Sequence, residues 1–171
     1  SAGNRKTWTW SGWVKRGNLG VNQALFAGVS SANNATTLRF TTSNSIQFYN
    51  YASAFNGQLV TTAVFRDVSA WYHIVAVFDT PNATADNRMR LYVNGVEVTA
   101  FSTRNNPTQN SDGFVNNTNA NYVGVDLGFN GNYLDGYLAE VHFTDGTAYD
   151  ADAFGEFKNG VWVAKTPDVT Y

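Results

Sequence analysis

Apolar and polar positions alternate with a period of two along most of the chain, in short runs. Thr7 to Val14 puts Trp8, Trp10 and Val14 on one face and Thr7, Thr9 and Ser11 on the other, as expected of a strand lying against a core. Similar runs at 24–29, 36–41, 45–51, 59–65, 122–125, 137–143 and 161–164 are divided by Gly, Asn, Ser and Thr clusters. Strands recurring every ~8–12 residues between turn signals predict an all-β sandwich or barrel. Residues 71–78 are apolar at nearly every position, which suits a central strand covered on both faces. Asn94-Gly95 then offers the two positive-φ residues of a type I′ turn, so residues 91–93 should pair antiparallel with 96–98. Only one helical turn is predicted, at 151–154, capped by Asp150, with Asp152 in its first turn and Gly155 ending it. The longest stretch without a pattern, 104–121, is rich in Asn, Thr and Gly and includes Pro107. A loop of that length is expected to be functional or mobile.

Composition narrows the function classes. A length of 171 residues fits one domain, taken as 1–171. A net charge of −2 supplies no basic stripe for phosphates, so nucleic acid is not an expected partner. No apolar run approaches the roughly 20 residues of a membrane-spanning helix, so no membrane partner is expected. The absence of cysteine removes disulfides, zinc–thiolate sites and thiol catalysis. Ser1-Ala2-Gly3 carries no signal-peptide pattern and reads as an internal start or an expression scar, so that absence says little. Aromatic residues (15%) are as abundant as charged ones (14%), which leaves a polar surface of Asn, Thr and Ser suited to uncharged, polyhydroxylated ligands.

Candidate site residues follow from that composition. Tyr49, Tyr51, Phe114, Phe129 and Tyr133 lie near polar loops, where aromatic faces stack on sugar rings while amides and carboxylates pair with hydroxyls. Tyr49 and Tyr51 alternate with Phe48, so one set points inward, and alternation alone does not say which. The expected binding rim is formed by residues 105–121 and 126–135, with Asn119, Asn121, Phe129, Asn130 and Tyr133 as ligand contacts. Calcium takes about 6–8 oxygen ligands, and the Asn/Asp-rich late loops are compatible with it; Asp126 and Asp135 are the preferred ligands, although no D-x-D-x-D-G loop is present. Glu140 and His142, two apart on a strand, share one face. Glycoside hydrolysis needs two carboxyl groups at a set separation, and nothing near Glu140 in sequence supplies the second. The expectation is therefore no catalysis, with Glu140 a hydrogen-bonded structural carboxylate. His73, flanked by buried positions, is expected to be a satisfied core histidine.

Two motif sets carry a resemblance. Trp71-Tyr72-His73-Ile74-Val75-Ala76 followed by Leu91-Tyr92-Val93-Asn94-Gly95 resembles the signature of laminin-G and pentraxin-like members of the concanavalin A-type jelly rolls. The closing stretch A-E-V-H-F-T-D-G (139–146), then F-G-E-F (154–157) and Val161-Trp162-Val163, with the opening R-K-T-W-T-W-S-G-W-V-K-R (5–16), is similar to laminin-G-like modules in tail and other virion proteins of tailed bacteriophages, marine ones in particular. The resemblance implies a two-sheet antiparallel jelly-roll sandwich on a virion surface, outside the cell. It further implies a non-catalytic carbohydrate-binding or adhesion module whose partners are host or environmental glycans and other virion subunits. The alternatives are a purely structural assembly or decoration module and a glycoside hydrolase. Calcium at one rim is common in such domains, which adds to the expectation for Asp126 and Asp135.

Overall fold

The computed structural model describes residues 2–128 and 131–171. Its first six strands are β1 (Thr7–Arg16), β2 (Gln23–Ser31), β3 (Asn34–Phe40), β4 (Ile46–Ala52), β5 (Phe55–Thr61) and β6 (Tyr72–Asp79). They are followed by β7 (Met89–Val93), β8 (Val96–Glu97), β9 (Phe101–Asn105), β10 (Asn121–Val123), β11 (Gly136–Asp145), β12 (Gly155–Lys158) and β13 (Val161–Ala164). A five-stranded antiparallel sheet, β11-β1-β6-β7-β8, packs on a six-stranded one, β10-β2-β3-β4-β5-β9, and β12-β13 form a separate hairpin. This is the all-β sandwich expected from the alternation, in the two-sheet jelly-roll form that the resemblance implies.

The core between the sheets is aromatic. Trp8, Trp10 and Val14 of β1 face Phe26, Phe40 and Phe48 of the larger sheet, and Trp8 stacks on Phe78 at 5.5 Å while meeting Phe48 edge-on at 5.7 Å. Burying each such ring contributes about 2–3 kcal/mol. β6 is central and covered twice: Ile74, Ala76 and Phe78 enter the main core, whereas Val75 and Val77 pack with Tyr92, Ala151 and Phe154 on the other side. That second cover also explains why Thr9 is buried although it faces away from the main core. Its hydroxyl donates to the Thr147 carbonyl (3.0 Å) and accepts from the Tyr149 amide (2.9 Å), so the polar atom is paired.

The Asn94-Gly95 turn forms as expected, with φ of 50° and 80° and Val93 opposite Val96. Other details differ from the sequence expectation. β9 and β12 were not predicted, β5 starts and ends about four residues early, and a second 3-10 turn spans Ala85–Asn87. Asp150 precedes the 3-10 turn Ala151–Ala153 but makes no side-chain cap bond; its carboxylate instead binds Arg90 (2.5 Å) and the Tyr92 hydroxyl (2.9 Å). Gly155 opens β12. The 104–121 stretch is tied down: Val115 sits in the core, the Phe114 amide donates to Thr36 Oγ1 at 2.7 Å, and the Asn110 amide to the Thr80 carbonyl at 3.0 Å.

Candidate functional site

Register decides which side chains of the larger sheet face outward. Leu38, Phe40, Ile46 and Phe48 fill the core, so the intervening pairs Arg39/Gln47, Thr37/Tyr49 and Ala35/Tyr51 project from the opposite face. This resolves the ambiguity over Tyr49 and Tyr51: Phe48 points inward and both tyrosines outward. Phe55, opposite Tyr51 across β4–β5, joins them. Arg39, Tyr49, Tyr51 and Phe55 line a half-open recess of about 240 Å³.

Each wall of the recess is held by an identifiable contact. Phe55 meets Tyr51 edge-on at 5.0 Å and Tyr49 at 5.8 Å, and the residue remains 46% exposed. The Arg39 guanidinium lies over the Tyr49 ring, 5.2 Å from its centroid, while its Nε donates to Gln47 Oε1 at 2.8 Å. Beneath them the Tyr49 hydroxyl donates to Asp126 Oδ2 (3.3 Å), which also accepts from Thr37 Oγ1 (3.0 Å). The other oxygen of Asp126 accepts the Gly128 amide at 3.0 Å. Burial pushes the Tyr49 hydroxyl up to about 12, an effect that nearby Arg39 opposes, so the hydroxyl stays a donor to Asp126 at neutral pH.

The residues expected to form the rim are distributed differently. Asp126 is 0% exposed and committed to three donors, which does not fit an open calcium ligand; it anchors its loop to the outer face of the larger sheet. Asp135 is exposed at the start of β11, its carbonyl accepting the Gly17 amide at 2.8 Å. The two carboxylates thus belong to different surroundings, and among the described residues no group of three or more His, Asp or Glu side chains could hold a metal. Tyr133 is 66% exposed, with its ring against Gly131. Asn121 begins β10 opposite Gly28 and accepts the Asn116 amide at 3.3 Å; Asn119 is exposed beside it, its amide on Asn117 Oδ1. Residues 132–135 adjoin the other end of β2, where the Ala24 amide meets the Asn132 carbonyl, so Asn119 and Asn121 are not brought together with Tyr133 and Asp135. Phe129 and Asn130 lie outside the described residues. Phe114 packs beside Arg5, 6.0 Å from its guanidinium, away from the recess. Sequence reading missed Arg39, Gln47 and Phe55. The available signal was parity, since Arg39 alternates with Leu38 and Phe40 as Tyr49 does with Phe48.

A larger, almost wholly apolar cleft of about 390 Å³ lies on the smaller sheet, lined by Trp13, Trp71, Trp162 and Glu140 among others. Beside it, His73 is buried with Nε2 2.9 Å from Ser11 Oγ and Nδ1 accepting Trp162 Nε1 at 3.0 Å. Acceptance at Nδ1 puts the proton on Nε2, making His73 the satisfied histidine expected and a peg between sheet and hairpin. Glu140 occupies a β-bulge between the Ser11/His142 and Trp13/Ala139 pairs, with φ 49°, and its carboxylate is 3.5 Å from His142 Nε2.

Residues 2–152 match the family model Laminin_G_3, described as the concanavalin A-like lectin/glucanases superfamily. No curated protein matches the chain significantly in sequence. Similar solved structures include domain 4 of a GH43 extracellular arabinanase from Geobacillus stearothermophilus in complex with arabinotriose, with TM-score 0.65 and 19% identity over 85% of this chain and 64% of that one. The CBM40 of the Ruminococcus gnavus IT-sialidase bound to α2,6 sialyllactose has TM-score 0.61 and 13% identity over 87% and 81%. The heptameric SAP-like pentraxin of Limulus polyphemus gives 0.56 and 12% over 83% and 65%. The chain therefore spans under two thirds of the arabinanase domain and of the pentraxin, and at these identities the likeness shows the fold alone.

Proposed function

The chain belongs to the concanavalin A-like lectin/glucanase superfamily, and from that premise we propose that it is a non-catalytic glycan-binding module whose site is the Arg39–Tyr49–Tyr51–Phe55 recess. The observation that carries this reading is that the exposed Phe55 ring, the more buried Tyr49 and Tyr51 rings and a fixed, directional guanidinium line one concavity. Sugars need both, because ring C–H faces bury against π-systems while hydroxyls require oriented partners. The Trp13–Trp71–Trp162 cleft is almost wholly apolar, and the one carboxylate lining it, Glu140, is paired with His142. That the arabinanase domain and the CBM40 were each solved with an oligosaccharide supports the reading by analogy of fold, not of site. On a glycan array the protein is expected to mark a restricted set of glycans, and Tyr51→Ala to weaken the signal about tenfold or more with little change in melting temperature. A blank array, or unaltered binding by that variant, would remove the recess from the account.

The non-catalytic part has its own check. Retaining and inverting hydrolysis place two carboxyl groups about 5–5.5 or 6.5–9.5 Å apart, and Glu140 is instead paired with His142. Glu140→Gln is expected to change stability by no more than about 0.5 kcal/mol, as for an exposed pair, and no reducing ends should be released from polysaccharides by the parent protein. Cleavage that this variant abolishes would make the protein a hydrolase.

We carry two further elements as proposals. The virion setting, with other virion subunits as partners and the phage surface as location, is supported by the resemblance of residues 5–16 and 139–163 to phage modules; mass spectrometry of purified particles tests it. Calcium is restricted to the exposed Asp135 and neighbouring backbone carbonyls. Melting in EDTA and in added calcium should differ, with Asp135→Ala removing the difference; coincident curves would end the calcium proposal. The structural-module reading is favoured by a different observation, the apolar cleft, in which Trp71 is 40% exposed.

A further inference from the structure

We propose that the recess selects sugars bearing a carboxylate, so that the ligand is an acidic glycan; this deepens the glycan-binding reading and rests on it. The chain has seven arginines. Five place a terminal guanidinium nitrogen on a protein acceptor: Arg5 on Asp112, Arg16 on the Phe65 carbonyl, Arg88 on the Pro107 carbonyl, Arg90 on Asp150 and Arg104 on the Asp86 carbonyl. A sixth, Arg66, is exposed between β5 and β6. Arg39 differs from all of them. It is fixed by its inner nitrogen, Nε to Gln47, and by the Tyr49 ring below it, yet its two terminal nitrogens engage no acceptor among the described residues.

That arrangement has a chemical consequence. With Nε occupied, the remaining donor edge of the guanidinium is its Nη pair, and two parallel N–H groups match the two oxygens of a carboxylate. The side chain is already held, so less conformational entropy is lost on binding than for a free arginine. No carboxylate of the described residues lies within ion-pair distance of Arg39, and the nearby Asp126 has both oxygens committed to Thr37, Tyr49 and Gly128. The recess therefore offers an unneutralised cation in a protein of net charge −2, so its sign is local and not a general basicity. Tyr51 and Phe55 supply the apolar wall against which the sugar ring lies. A volume of about 240 Å³ is below the roughly 300–1,000 Å³ of sites for drug-sized ligands, which suits one acidic residue and not an extended chain.

Uronic acids and sialic acids carry the same group, and calorimetric titration separates them. The probes are trigalacturonic acid against its methyl ester, and 3′-sialyllactose against lactose. At least one acid is expected to bind about tenfold or more tightly than its neutral counterpart, the range for hydrogen bonds to a charged group, and the arm that responds identifies the source. Arg39→Met should erase the difference with an unchanged unfolding transition. Arg39→Lys, which keeps the charge but not the paired donors, should lose at least several-fold. Equal binding of acid and neutral probes that Tyr51→Ala weakens would overturn acid selection and leave glycan binding standing. No binding of any probe at millimolar concentration would count against both.

Discussion

Asp126→Ala is expected to destabilise the protein by about 3 kcal/mol. The carboxylate is wholly buried, and three donors converge on it: the Thr37 and Tyr49 hydroxyls and the Gly128 amide. Each buried donor left unpaired costs about 1–3 kcal/mol; relaxation and water entry bring the sum below three independent losses. For a chain of this size that corresponds to a fall in melting temperature of about 6–12 °C. Asp126→Asn keeps the shape and one acceptor oxygen, so its cost should be well under half. The substitution also reaches the recess, because Asp126 holds the Tyr49 hydroxyl and Tyr49 supports Arg39. Chemical denaturation of both variants decides the matter. A loss below about 0.5 kcal/mol for Asp126→Ala would show that the carboxylate does not anchor the loop to the sheet.

The second large effect concerns pH. Burial, with a smaller contribution from repulsion by His142, lowers His73 from 6.5 to about 4. In the unfolded chain the imidazole takes up its proton as pH falls through about 6.5, whereas in the folded protein it remains neutral until about 4. Between these values the unfolded state binds more protons, so stability is fully present above about 6.5 and is lost as pH falls toward 4. The 2.5-unit difference corresponds to about 3 kcal/mol. The loss should be recorded as a falling denaturation midpoint across that window, and His73→Gln should flatten it while lowering stability at neutral pH through the weakened Ser11 and Trp162 contacts. A midpoint that is flat from pH 6.5 to 4 in the parent protein would contradict a buried neutral His73.

Much of the fold was legible because it rests on local pattern. The period-two runs located β1 to β4 and β11 closely, the continuous apolar run located β6, and Asn94-Gly95 fixed the β7–β8 hairpin through its backbone preference. β9 escaped notice because Phe101–Asn105 lies at a sheet edge with mostly exposed side chains, so no alternation marks it. The candidate site was less legible for a related reason. Alternation gives parity but not sign: that Tyr49 and Tyr51 share a face was readable, and that it is the outer face depends on which strands pair and what fills the core. For Arg39, too, the parity with Leu38 and Phe40 was readable, while its place in the recess depends on its cross-strand register with Gln47. Asp126 read as a possible metal ligand because an Asp in an Asn-rich loop is chemically suited to one. Its actual partners, Thr37 and Tyr49, are 89 and 77 residues away.

Amide chemical-shift mapping with trigalacturonic acid and 3′-sialyllactose at millimolar concentration reads glycan binding on the outer face of the six-stranded sheet residue by residue. Saturable shifts centred on Arg39, Gln47, Tyr49, Tyr51 and Phe55 are expected. Shifts confined to the Trp13–Trp71–Trp162 cleft, or no saturable shifts with either sugar, would contradict glycan binding on that face.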